Sequence, residues 1–238
     1  MFNSIALGQA DAMVEKPLEP RVKFLAVIAV LVSACATQSD VGFSVDVQVT
    51  LQGTRSQAAG GDEHTLEMAS IVLESADLEL CAPTAWQRAG DMLSPISQAW
   101  AHSESDPTHL GVPHVVQLEG QALLGTFRPA PASYCTLALT FGPADDDAEG
   151  VEADPGIVGF ALGLKVEGQP LVRVADSQTV RLPLTRLVLD GAAKERVFAL
   201  DVVLDSTSWL TGVDVTTLDS AESKSKILQN VAASAHLQ

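Results

Sequence analysis

The chain has 238 residues, of which 47% are hydrophobic, and it carries 30 acidic against 14 basic side chains, a formal charge of -16. A charged fraction of only 18% with ample aliphatic content excludes an intrinsically disordered chain, and the strong negative charge excludes nucleic acid as the main partner, because phosphates would be repelled. No apolar run reaches the roughly 18 residues of a membrane-spanning helix, and three cysteines are too few for a disulfide-framework miniprotein or a four-cysteine zinc site.

The first element is an address. Residues 24–32 read FLAVIAVLV directly after Arg21 and Lys23, the basic flank and apolar core of a secretory signal. Val32, Ser33, Ala34 and Cys35 follow, and this resembles a bacterial lipobox, in which the cysteine thiol is acylated and becomes the first mature residue. Ala36 rather than Asp follows the cysteine, which by the same resemblance implies an outer-membrane anchor, periplasmic or surface-facing. Met13 gives a more ordinary start for this signal than Met1. The expected organisation is a signal peptide at 1–34, a lipidated tether at 35–42 and a folded domain at 43–238. Lys16, Arg21 and Lys23 are balanced by Asp11, Glu15 and Glu19, so the mature chain keeps the whole negative charge. Acyl chains at about 0.8 kcal/mol per buried methylene supply the membrane anchor without electrostatic help.

The mature chain then alternates apolar and polar residues with period two. Phe43, Val45, Val47, Val49 and Leu51 face one way and Ser44, Asp46, Gln48 and Thr50 the other, as in a half-buried strand. Ala76, Leu78 and Leu80 alternate with Asp77 and Glu79 after a fuller apolar run at 71–73. Further strands are predicted at 134–141, 158–166, 182–189 and 197–204, separated by Gly- and Pro-rich turns. A short turn is predicted around Trp209, capped by Asp205 or Ser206, and a helix over 221–233 with Ile227, Leu228 and Val231 on one face. Together these predict an all-β fold, an antiparallel β-sandwich of seven or eight strands with a short C-terminal helix. Cys81 and Cys135, left as an even pair outside the cytoplasm, are expected to form a disulfide closing a loop of about 50 residues, worth about 4 kcal/mol. A catalytic thiol is the alternative, but it needs a neighbouring histidine.

Residues 82–114 read as one long irregular segment, and such loops are often functional. Trp86 and Trp100 lie in it, together with His102, His109 and His114. Imidazoles suit copper and zinc, and Asp106 or Glu104 offers an oxygen ligand. The histidine spacings of seven and five match neither a helix face nor strand alternation, and Pro107 and Pro113 intervene, so only a folded loop brings the three nitrogens together. The alternative is a solvated polar loop. A second candidate is Asp145, Asp147 and Glu149 followed by Gly150, which resembles the front half of a calcium loop, with Glu152 or Asp154 to complete it; Gly156 stands where such a loop needs a bidentate Glu. The alternative here is a solvated acidic turn. No G-x-S-x-G, H-E-x-x-H, P-loop, G-x-G-x-x-G or C-x-x-C pattern occurs, and no enzymatic activity is expected.

The chain end carries Phe198, Asp201 and Asp205, then Trp209, Gly212 and Asp214, then Ile227, Asn230 and Ser234. This arrangement resembles the C-terminal part of the MbnP-like proteins, periplasmic copper-associated β-proteins encoded beside di-haem MauG-like enzymes. The strand at 71–80 followed by a long loop, and the approach to a strand through Pro131, Ala132, Ser133, Tyr134 and Cys135, are also similar to that family, though Ala132 and Ser133 replace its usual glycine. The resemblance covers about half the mature chain. It implies a secreted β-sandwich that binds copper and is modified at a tryptophan by a di-haem redox partner, with Trp100 and His102 as the modified residue and a ligand. The expected function is therefore a lipid-anchored β-sandwich that binds a transition metal, copper preferred, through His102, His109 and His114. The alternative is a metal-free structural or adhesive lipoprotein that binds a protein or glycan.

Overall fold

A computed structural model describes residues 42–81, 106–190 and 195–238, apart from the side chain of Arg186. The signal segment, Cys35, Trp86, Trp100, His102 and Glu104 lie outside the described residues. The described chain belongs to one unit, Gly42–Gln238, and is built from two facing sheets, as expected of an all-β sandwich.

One sheet has four strands in the order β12-β11-β1-β6, formed by β1 (Ser44–Gln52), β6 (Gln121–Phe127), β11 (Val197–Asp205) and β12 (Ala235–Leu237). Along β1 the alternation read from sequence is realised residue by residue: Val45, Val47, Val49 and Leu51 are buried and the intervening residues are partly exposed. The sequence pattern does not specify direction, and here the expectation of a purely antiparallel sandwich is corrected. β1 and β11 run parallel, from Ser44 beside Val197 to Gln52 beside Asp205. Two strands so far apart in the chain need no hairpin between them, so the connection places no constraint on their direction.

The second sheet is organised on β3 (Glu63–Leu80), eighteen residues long. Its main path is β10-β7-β3-β8-β9, with β7 (Ser133–Phe141), β8 (Leu162–Val166), β9 (Val172–Val174) and β10 (Gln178–Val188). Three short strands, β2 (Arg55–Gln57), β4 (His109–Leu110) and β5 (His114–Gln117), pair only with β3. Ser70 and Ile71 are paired to both β5 and β8, and Ala76 and Asp77 to both β4 and β7, so β3 is filled along both edges. The described residues thus contain twelve strands rather than seven or eight. The excess consists largely of two- to four-residue strands, too short to show alternation. Two local expectations are corrected as well. Residues 106–114 are not wholly irregular, since β4 and β5 begin there. The strand predicted at 158–166 starts only at Leu162, because Pro155–Ile157 forms a 3-10 turn.

The main core lies between the sheets and includes Phe43, Phe127, Phe141, Leu137, Leu139 and Trp209, all essentially inaccessible to solvent. The fuller apolar run at 71–73 has a separate cause. Ile71 and Leu73 face this core, while Val72 points to the other side and packs with Val115, Ala144, Ala148 and Ile157 in a second, small core. A strand buried on both faces loses its alternation. The C-terminal helix α1 (Ala221–Ala233) forms as predicted, with Ser220 as its N-cap and Ile227, Leu228 and Val231 buried. Asp205 caps the turn before Trp209, accepting from the Thr207 N–H. The buried indole donates from Nε1 to Ser234 Oγ at 3.0 Å, and Asn230 Nδ2 donates to the Trp209 and Thr211 carbonyls, joining turn and helix. Cys81 and Cys135 form the expected disulfide, joining the end of β3 to β7 across 54 positions. Beside it Tyr134, itself buried, donates its hydroxyl to the Ala130 carbonyl at 3.1 Å and fixes the approach to β7.

The lid over the small core, residues 142–160, is held by an ion pair. Arg173 on β9 reaches Asp154 with two hydrogen bonds of 3.1 and 2.9 Å, both side chains being less than one fifth exposed. The guanidinium lies against Gly156 and Gly163, where a Cβ would come within 2.7 and 3.0 Å of its nitrogens, and 5.8 Å from the centre of the Phe160 ring. The Arg173 hydrogen bonds hold Asp154 below the usual carboxylate range against the opposing effect of burial, with the Ser70 hydroxyl assisting. A depressed folded-state pKa gives stability that is complete above the unfolded value near 3.9 and lost as pH falls through the lower folded value. Asp154→Asn should therefore destabilise the protein by about 2–4 kcal/mol at pH 7, since it leaves a largely buried guanidinium without its charge partner. The deficit should shrink toward pH 2 in denaturant unfolding, whereas an equal deficit at pH 7 and pH 2 would contradict this assignment.

Candidate functional site

Two of the three loop histidines are placed by short strands that end on β3. Asp106 starts the approach. Its Oδ1 accepts from the Thr108 backbone N–H at 2.9 Å and from the Thr108 hydroxyl at 2.8 Å, and these bonds, backbone first, hold its carboxyl below the usual range. Asp106 thus shapes its own turn rather than reaching out as a ligand. That turn delivers His109 to β4 opposite Asp77, and the imidazole Nδ1 lies 2.7 Å from Asp77 Oδ1, both side chains being 44% exposed. A carboxylate only accepts, so Nδ1 carries the proton and, in the neutral ring, Nε2 carries the lone pair. Nε2 lies over Gly111, where a Cβ would approach it to 2.8 Å, so the imidazole position depends on the missing side chain.

His114 opens β5 opposite Leu73 and is buried, and its Nδ1 is 3.3 Å from Glu149 Oε2. The acidic loop supplies that carboxylate by its backbone attachment to β5. The Glu149 N–H donates to the Pro113 carbonyl and the Val115 N–H to the Glu149 carbonyl, which sets residue 149 beside residue 114. Gly150 permits the fit on two counts: its φ is +82°, and a Cβ there would lie 2.8 Å from the Val115 carbonyl oxygen. The glycine that reads as the sixth position of a calcium loop therefore has a packing reason of its own.

His109, His114 and Glu149 line one open cleft of about 430 Å³, with Gly111, Leu124 and Gly125 among its other walls. Each imidazole has its own carboxylate. On β3 the partners of His109 and His114 stand four residues apart, about 13 Å at strand rise. Among the described residues no group of three or more His, Cys, Asp or Glu side chains converges in a way that could hold a metal ion. His102 and Trp100, the other members of the predicted set, lie outside those residues.

The predicted calcium ligands are brought together only in part. Asp145 lies beside Asp147, and the chance to share a proton with that carboxylate, then burial and the neighbouring negative charge, raise the Asp145 carboxyl above its usual range. Glu149 turns instead to His114 and Asp154 to Arg173. The residues missed in the sequence are Asp77 and Gly111. Asp77 alternates with the apolar face of β3 like any solvent-facing carboxylate, and only the pairing of β4 with β3 gives it an imidazole.

Gly150→Ala should detach the acidic loop from β5, costing about 1–3 kcal/mol for the left-handed backbone and the steric contact. It should also expose His114, seen as faster exchange of the Val115 amide and easier modification of the imidazole. A variant with wild-type stability and exchange would show that the loop does not depend on this glycine.

Comparison of the chain with protein-family models, with curated proteins and with solved structures returns no match.

Proposed function

We propose that this protein is a lipid-anchored β-sandwich of the bacterial envelope that binds a transition-metal cation, copper preferred, at the His109–His114 cleft. The observation that carries this reading is the carboxylate at each Nδ1, 2.7 Å away at His109 and 3.3 Å at His114. Metal-binding histidines typically donate their second ring N–H to a carboxylate, which fixes the tautomer and strengthens the ligand nitrogen. That arrangement would leave Nε2 of each ring free for a cation, and both rings line the same cleft, although among the described residues no three ligand side chains converge on one point. In this reading His102 and Trp100, which lie outside the described residues, are the further ligand and the modified residue that the family resemblance implies. Copper fits imidazole ligation, and its role is uptake or delivery rather than turnover. The di-haem redox partner implied by the family resemblance belongs to the same reading, as the enzyme that would oxidise Trp100. Calcium at Asp145 and Asp147 has less support, because Glu149 and Asp154 are engaged elsewhere.

The test is titration of the full chain with Cu(I), Cu(II) and Zn(II), followed by equilibrium dialysis. One equivalent should bind with submicromolar affinity. His109→Ala and His114→Ala should each weaken binding at least about tenfold, and Asp77→Asn should weaken it by about 10- to 100-fold through its imidazole. Absence of binding by any of the three ions would overturn the reading.

Membrane attachment is tested separately. Cys35→Ala should move the protein from the membrane fraction to the soluble fraction, with the folded domain unchanged by circular dichroism. Continued membrane association of that variant would remove the lipid anchor from the proposal.

A further inference from the structure

β11 is covered unequally on its two edges. It pairs with β1 along its whole length, Ser44 to Gln52 against Val197 to Asp205, but with β12 only from Val202 to Leu204. The Gln238 N–H still donates to the Asp201 carbonyl at 3.0 Å. Among the described residues no strand pairs with that edge at 197–200. The burial pattern changes at the same point: Val202, Val203 and Leu204 are buried, whereas Val197, Ala199 and Asp201 are exposed and Phe198 and Leu200 partly so.

The direction of the backbone groups follows from two hydrogen bonds. Ser44 N–H donates to the Arg196 carbonyl on the β1 side, and Gln238 N–H to the Asp201 carbonyl on the β12 side. Successive residues of a strand point their N–H and C=O to alternate edges. The even-numbered residues therefore serve β1, and Val197 and Ala199 direct their backbone groups to the open edge. Beside this edge runs a groove of about 450 Å³ between β11 and the outer strand of the other sheet, lined by Leu184, Leu187 and Val188 of β10, Phe198 and Leu200 of β11, and Leu237. Across the groove β10 carries Pro183, which supplies no backbone donor.

We propose that this edge takes one extended strand of a partner protein, laid antiparallel to β11 in line with β12, with alternate apolar side chains filling the groove. Backbone pairing supplies affinity and the groove selects side chains, as in β-augmentation generally. The charge selects the partner. A chain of charge -16 repels a second copy of itself and attracts a cationic protein, and Asp201 contributes to the groove wall. This proposal is independent of the metal reading.

The probe is a short capped peptide of alternating valine and threonine flanked by lysines, with a glutamate-flanked counterpart, added to the full chain in detergent at low salt. Binding is read by fluorescence anisotropy, and the site by amide hydrogen exchange. The lysine-flanked peptide should bind and slow exchange at Val197 and Ala199, while the glutamate-flanked one should bind at least about tenfold more weakly. Ala199→Pro removes the outward N–H and spares the β1 ladder, so it should lower affinity about tenfold, the loss of one backbone hydrogen bond. If that variant does not fold, the exchange data on the wild-type chain decide alone. The proposal is overturned if the lysine-flanked peptide does not bind, or if a folded Ala199→Pro binds it equally well. It is also overturned if Val197 and Ala199 are already protected in the free chain, or if sedimentation shows a dimer that protects them.

Discussion

Much of this structure depends on β3 being filled along both edges and, in its middle, buried on both faces. Eighteen residues at strand rise span about 60 Å, longer than any one neighbour, so β8 and β7 pair with successive parts of β3 and β2, β5 and β4 with others. Register shifts between Leu66 and Met68 and between Leu73 and Ser75 bend the strand where its neighbours change. Because Val72 turns away from the main core, something must cover it, and the lid of residues 142–160 does so with Ala144, Ala148 and Ile157. That lid carries Glu149 to His114. The environment of this imidazole is therefore a consequence of how the second face of β3 is buried.

The lid also shows how an acidic chain spends a few of its carboxylates on structure. Asp154 meets Arg173 in a nearly buried, doubly hydrogen-bonded pair, seated in space left by two glycines. Such a pair contributes geometry as much as net stability, because desolvation of the two charges offsets much of their attraction. Asp106, Asp205 and Asp214 each accept a backbone N–H two residues on and so organise the turns before β4, before Trp209 and before α1. Asp77 and Glu149 orient imidazoles. Carboxylates with none of these roles keep the surface strongly negative, which bears on the choice of partner rather than on the fold.

The cleft at His109 and His114 and the open edge of β11 have a common origin in short strands. β4 and β5 have two and four residues, enough to place one histidine each at the rim of the sheet and too few to close it. β12 has three residues and leaves the first half of β11 with outward-facing backbone groups. In both places a truncated ladder puts polar atoms beside apolar walls, a combination that suits recognition.

Period-two alternation made β1, β7, β10 and β11 legible before any coordinates, and in β1 one face is buried and the other partly exposed along the whole strand. The helix at 221–233 and the capped turn before Trp209 were equally legible from helix periodicity and capping chemistry. The disulfide followed from an even pair of cysteines behind an export signal. The twelve-strand count, the parallel pairing of β1 with β11 and the early strands at His109 and His114 were not, since two-residue strands have no period and alternation carries no direction. The sequence by itself determined the all-β class and the main core. Only the tertiary structure decided that Asp77 meets His109, that Glu149 leaves its acidic neighbours for His114, and that among the described residues no strand pairs with the β12-side edge of β11 at 197–200. Those outcomes depend on which strands become neighbours, a long-range choice made by burial and register that local residue patterns do not encode.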